Sequence, residues 1–119
     1  MTRPLDNPEC CFVCRRRADG LGYSDNPDSN KRIGWMCEDC AHSEIGKAAY
    51  AIPAKTFDVY EARALQTAGQ AGGEYLDAIG QTDLAELDPH NFTVFCTILI
   101  ETFGTAIRAQ VARGINPQS

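Results

Sequence analysis

Two Cys-x-x-Cys pairs, Cys11/Cys14 and Cys37/Cys40, stand 22 residues apart. Four thiolates so arranged meet the whole coordination demand of a structural Zn²⁺, and a two-residue gap lets both sulfurs of a pair point at one ion. The pattern therefore predicts a metal site with Cys11, Cys14, Cys37 and Cys40 as ligands and structural Zn²⁺ as the cofactor. A rubredoxin-like iron site fits less well, because the glycines usual after such knuckles are absent. A thioredoxin-like redox pair needs a βαβ setting, which neither pair has. Cys10 reads as a bystander or spare ligand, and Cys96 as a core residue. His42, two residues beyond Cys40, is an alternative to one of the thiolates.

A catalytic zinc keeps one position open for water, and four cysteines leave none. A deaminase would need a His-x-Glu or Cys-x-Glu element ahead of a Pro-Cys-x-x-Cys pair. An HNH nuclease would need a histidine base before a hairpin and a further metal-binding histidine. The chain's two histidines, His42 and His90, stand in neither setting. The expectation is a protein without catalytic activity.

The elements that must position the sulfurs follow from turn residues and apolar spacing. Residues 1–9 read as a flexible N-terminal arm and 10–52 as the four-cysteine zinc module, with 53–119 a helical region packing on it. Between the pairs, Leu21–Ser24 and Arg32–Met36 read as short strands of a β-hairpin around a polar tip at 25–30. Glu38 and Asp39 suit the first turn of a helix that would run on to Pro53. A helix carrying the second pair would make a treble clef; a second hairpin there would make a zinc ribbon. The helical reading after Cys40 favours the former. Thr56 reads as the N-cap of a helix over about 56–80, with a break or kink near Gly72 and Gly73 and a stop at Gly80. Thr82–Leu87 reads as a single helical turn. Asp88 and Pro89 open a last helix to about Arg113. Its apolar stripe, Phe92, Phe95, Cys96, Leu99, Phe103, Ile107 and Val111, is widened by Val94 and Ile98, which implies contact on more than one side. The fold class is mostly α with a small β-hairpin: a treble-clef-like or zinc-ribbon module built on four cysteines, followed by two main helices.

Charge is unevenly spread. The net charge is −5. Residues 1–55 balance, while 56–119 hold three cations (Arg63, Arg108, Arg113) against eight carboxylates. Phosphate binding depends on cationic side chains, so an acidic helical half is a poor nucleic-acid surface and suits a protein partner better. Arg15, Arg16, Arg17, Lys31 and Arg32 would soften the charge of a four-thiolate site. Read as a cationic patch, with Tyr23 or Trp35 for stacking, they give the alternative: a nucleic-acid-binding zinc-finger regulator. Phe92–Ile100 is interrupted by Thr93 and Thr97 and followed by Glu101, so no apolar run reaches the length of a membrane span. The first residues lack the apolar stretch of a signal peptide. A cytoplasmic protein with reduced thiols and no membrane partner is expected, with the wide stripe suited to a helix-mediated homodimer.

Three segments carry a resemblance: Cys11–Tyr23 (Cys-Phe-Val-Cys-Arg-Arg-Arg-Ala-Asp-Gly-Leu-Gly-Tyr), Trp35–Cys40 (Trp-Met-Cys-Glu-Asp-Cys) and Ile79–Leu87 (Ile-Gly-Gln-Thr-Asp-Leu-Ala-Glu-Leu). From residue 10 to about 108 the chain resembles small uncharacterised zinc-finger proteins encoded by bacteriophages and prophages, mainly of alphaproteobacteria. The resemblance implies a metal site on Cys11, Cys14, Cys37 and Cys40, a viral origin, residence in the host cytoplasm, and no established activity. Small acidic viral proteins commonly bind and disable a host macromolecule, as anti-CRISPR proteins do. The sequence thus points to a zinc-binding protein that works through a protein partner.

Overall fold

In the computed structural model, residues 3–25 and 32–115 are described. Two strands, β1 (Leu21–Tyr23) and β2 (Gly34–Met36), pair antiparallel with Leu21 opposite Met36 and Tyr23 opposite Gly34. Residues 26–30 of the hairpin tip, and Lys31, lie outside the described residues. A short helix α1 (Glu38–Ala41), a 3-10 turn (His42–Glu44) and α2 (Ile45–Ala51) follow. Two long helices, α3 (Ala54–Ile79) and α4 (Pro89–Ile115), complete the chain. The mostly helical architecture with one small hairpin is as the sequence implies.

The segment after Cys40 differs from the single helix expected there. Its 3-10 turn ends at Glu44, which adopts a left-handed φ of 63°. The bend brings Gly46 against β2, where a Cβ would overlap the Met36 sulfur, and lets Ile45 and Ala49 enter the core. Residues 3–9 are also held rather than loose. Arg3 donates to the Ala49 carbonyl at 2.6 Å and lies 5.0 Å over the Phe57 ring. The Asp6 carboxylate accepts from the Ile33 N–H at 2.8 Å and from Arg32 at 3.0 Å. Those two bonds, the backbone one first, hold the Asp6 carboxyl below its ordinary range.

α3 starts two residues before Thr56, at Ala54, with Pro53 in the capping position. It runs without a break through Gly72 and Gly73. The expected kink is absent because Gly72 faces α4: a Cβ there would sit 2.8 Å from Leu99 and 2.9 Å from Phe95. The glycine is a point of close helix approach, and packing outweighs its poor helix propensity. Gly80 ends α3 in the left-handed conformation, φ 73°. The expected single turn is a 3-10 turn, Leu84–Glu86, capped by Asp83, whose carboxylate accepts from the Ala85 N–H. Asp88 caps α4 by accepting from the Asn91 N–H at 2.8 Å.

The core lies at one end. Phe57, Ala64 and Ala68 of α3 and Phe103, Ile107 and Val111 of α4 are buried together with Phe12, Val13 and the cysteines. The far half of the helical hairpin projects beyond it. The molecule measures 54 × 33 × 23 Å with a radius of gyration of 16.0 Å. A compact chain of this length would have a radius of about 13.5 Å.

α4 from Pro89 to Gly114 is long and apolar enough to cross a membrane by length and composition, with 17% of its most apolar stretch buried. That departs from the sequence expectation. The threonines that interrupt the run satisfy their hydroxyls inside the helix: Thr93 donates to the Pro89 carbonyl at 3.0 Å and Thr97 to the Thr93 carbonyl at 2.9 Å.

Candidate metal centre

The first pair sits in a tight turn that precedes β1. Arg15 closes it, its N–H bonding the Cys11 carbonyl at 3.0 Å, and takes a left-handed φ of 70° in a position that favours glycine. Phe12 anchors the turn on β2: its N–H donates to the Trp35 carbonyl at 2.9 Å, and its ring fills the space a side chain at Gly34 would need. The second pair begins α1, with Cys37 at the N-cap and Cys40 in the first turn. Cys37 offers no cap hydrogen bond, and Asp19, reaching over from the hairpin, accepts from the Glu38 N–H at 2.8 Å instead. Knuckle, hairpin and ligand-bearing helix follow in the order of a treble clef; the second pair is not on a hairpin, as a ribbon would require.

These elements bring all four predicted cysteines together. Their sulfurs lie within 4.8 Å of one another, all four residues are buried, and none is in a disulfide. Cys14 and Cys37 sulfurs are 3.6 Å apart. A tetrahedral site with metal–sulfur bonds of about 2.3 Å needs sulfurs about 3.8 Å apart, so the donor set fits a metal ion. Charge points the same way. Hydrogen bonds from Cys14 and Cys40 hold the Cys11 thiol well below its ordinary range, while the bond to Cys11 pushes Cys14 up to about 12 and Cys40 higher still. Like charges this close repel, so a full set of four thiolates needs a cation among them.

The other candidates are placed elsewhere. Cys10 is half-buried, pairs with Arg17 in a β-bridge, and points its sulfur toward the Cys11 and Arg15 carbonyls. Burial raises its thiol. His42 is exposed on the 3-10 turn, and neither it nor Cys10 belongs to the cluster. Cys96, expected in the core, is half-buried on α4.

Two residues that reach the centre from the long helices were not singled out as such by the sequence. Arg108 of α4 donates to the Cys40 sulfur at 3.6 Å. Glu61 of α3, one of the eight carboxylates of the acidic helical half, is 1% exposed and bonds Arg15 at 2.7 Å. Burial raises the Glu61 carboxyl, and the Arg15 cation only partly offsets that. The i+4 and i+3 steps Phe57–Glu61–Ala64–Ala68, with Glu61 the one charged member, carried the signal for it. Nothing in sequence spacing ties Arg108 to a cysteine 68 residues away.

Fold and cluster together define a four-cysteine module able to hold a metal ion, with a long helical hairpin packed against it. A family model described as a family of unknown function (DUF6511) matches residues 56–117, more than half of the chain, which belongs to that family. The match covers nearly all of α3 and all of α4, Glu61 and Arg108 included, and does not reach the four clustered cysteines. No curated protein and no solved structure matches the chain.

Proposed function

We propose that this is a non-catalytic protein whose structural Zn²⁺ braces a helical hairpin for binding a protein partner. The closed set of four buried sulfurs carries the reading. Thiolate donors select zinc among common divalent ions, and a site filled by protein ligands has no position for a reacting water. The metal holds a module with little core of its own. Partner binding then falls to the helices. Glu74, Asp77 and Glu101 are exposed on them, alongside apolar side chains such as Ile100. The resemblance to phage-encoded zinc-finger proteins extends the reading to a host-directed inhibitor of the anti-CRISPR kind, acting in the host cytoplasm.

The alternative, a nucleic-acid regulator, draws on the cations near the module. Arg15 bonds Glu61 and Arg32 bonds Asp6, which reduces what a phosphate backbone could use. Affinity capture from host lysate separates the two. A protein retained by the wild-type chain and lost with Glu74→Lys, Asp77→Lys and Glu101→Lys supports partner binding. Recovery of nucleic acid by an interaction that collapses steeply with salt contradicts it and favours the regulator.

A further inference from the structure

α4 holds a buried glycine in its interior, Gly104. Glycine is the poorest helix former after proline, so one in mid-helix has a reason in its surroundings. The glycines of the two long helices answer to different neighbours. A Cβ at Gly69 or Gly73 would meet nothing within 4 Å, and one at Gly72 would meet Leu99 and Phe95. At Gly104 the three nearest atoms all belong to the Arg108 guanidinium: Nη1 at 3.2 Å, Nη2 at 3.4 Å and Cζ at 3.6 Å. The four-residue step explains the meeting. A long side chain on a helix leans back over the turn before it, so the Arg108 head lies over residue 104.

That head serves the metal centre. Its Nη1 donates to the Cys40 sulfur at 3.6 Å, so the atom that makes this bond is also the one a Cβ at residue 104 would press on first. Arg108 is half-buried, and among the described residues no carboxylate lies within ion-pair distance of it; Asp39 acts on it only at longer range. Other cations near the module are engaged elsewhere, Arg15 with Glu61 and Arg32 with Asp6. Four thiolates around one Zn²⁺ keep a net negative charge, which a cationic donor to a ligand sulfur offsets. We propose that Gly104 is a positioning residue of the zinc centre: by lacking a side chain it seats the Arg108 guanidinium on the Cys40 sulfur. This rests on the reading of the four sulfurs as a zinc site. The seat lies on α4, so the helical hairpin completes the centre as well as covering it. An alanine there would put its methyl tighter against Nη1 than an ordinary contact, and the guanidinium would give way by a few tenths of an ångström. A valine would fill the seat.

Zinc affinity of the full chain, measured by competition with a chromophoric chelator, tests this together with the thiolate-to-metal charge-transfer bands of the cobalt-loaded protein. Gly104→Val should bind zinc about 10–100-fold more weakly than wild type, as for the loss of an outer-shell donor, and should shift the cobalt bands in the same sense as Arg108→Ala. Gly104→Ala should give a smaller loss of the same sign, while helix content holds or rises, because alanine extends a helix better than glycine. In an Arg108→Ala background neither substitution should weaken binding further, since the head that each displaces is gone. Wild-type affinity and wild-type cobalt bands in both variants overturn the proposal, as do losses that add to that of Arg108→Ala. If valine lowers the helix content, Gly104→Ala with and without Arg108→Ala decides by the same two criteria. A wild-type chain that takes up no zinc sinks the metal reading itself. One that binds zinc equally well whatever stands at residue 104 sinks this inference alone.

Discussion

At the residue scale, two side chains tie the helical hairpin to the metal centre. Arg108 places a cation 3.6 Å from the Cys40 sulfur, where it stabilises thiolate charge and orients the ligand. Outer-shell partners of this kind are worth about 10–100-fold in metal affinity. Arg108→Ala should therefore weaken zinc binding by about that factor in competition with a chromophoric chelator, and an unchanged affinity would remove Arg108 from the centre's support. Glu61 acts one step further out, holding Arg15 in the left-handed conformation that closes the first knuckle. Removing one member of a buried ion pair strands the other, so Glu61→Ala should cost about 2–4 kcal/mol in urea unfolding. Its pH dependence has a definite sign. Burial raises the folded-state pKa of Glu61 above the ordinary glutamate value, so the folded chain takes up the proton first. The stability of wild type relative to Glu61→Gln should fall as pH rises through that window and stay level above it. A relative stability that increases with pH there would mean that the ion pair, not burial, controls the carboxylate.

At the scale of elements, the helix–helix contact turns on Gly72. Gly72→Val would drive a side chain into Leu99 and Phe95 and should destabilise by about 1–3 kcal/mol. Gly69 and Gly73 have open space where a Cβ would go, so alanine at either should stabilise by up to about 1 kcal/mol. Thermal unfolding of the three variants gives the comparison; a tolerated Gly72→Val would mean the hairpin is looser than its contacts indicate. The same residue shows what the sequence could and could not reveal. Gly80, Asp88 and the paired cysteines were legible because each acts through local chemistry: a left-handed stop, a cap, a two-residue ligand gap. Gly72 was read as a weakness because its reason is 27 residues away, in Leu99. The bend at Glu44 was hidden in the same way, since it answers to a Met36 side chain on a strand. The four clustered cysteines were legible and the residues that reach them from the helices were not, because Glu61 and Arg108 gain meaning only once the hairpin folds back on the module.

At the scale of the molecule, the metal module and the hairpin share one core at one end, and the other end projects. The module contributes Phe12, Val13 and the cysteines to that core, and α4 contributes Ile107 and Val111. Loss of the metal would therefore release the order of residues 10–52 and strip the module's cover from the C-terminal half of α4, leaving it packed on α3 alone. Chelation should lower the unfolding temperature, and Cys37→Ser should unfold the module, with loss of hydrogen-exchange protection at Phe12 and Val13 as the readout. Protection that survives both treatments would show that the core stands without the ion.

The most direct measurement is elemental analysis of the protein purified without added metal or chelator. One zinc per chain, falling to none when Cys37 and Cys40 are both changed to serine, is the predicted result. A folded, metal-free wild-type chain would contradict the account.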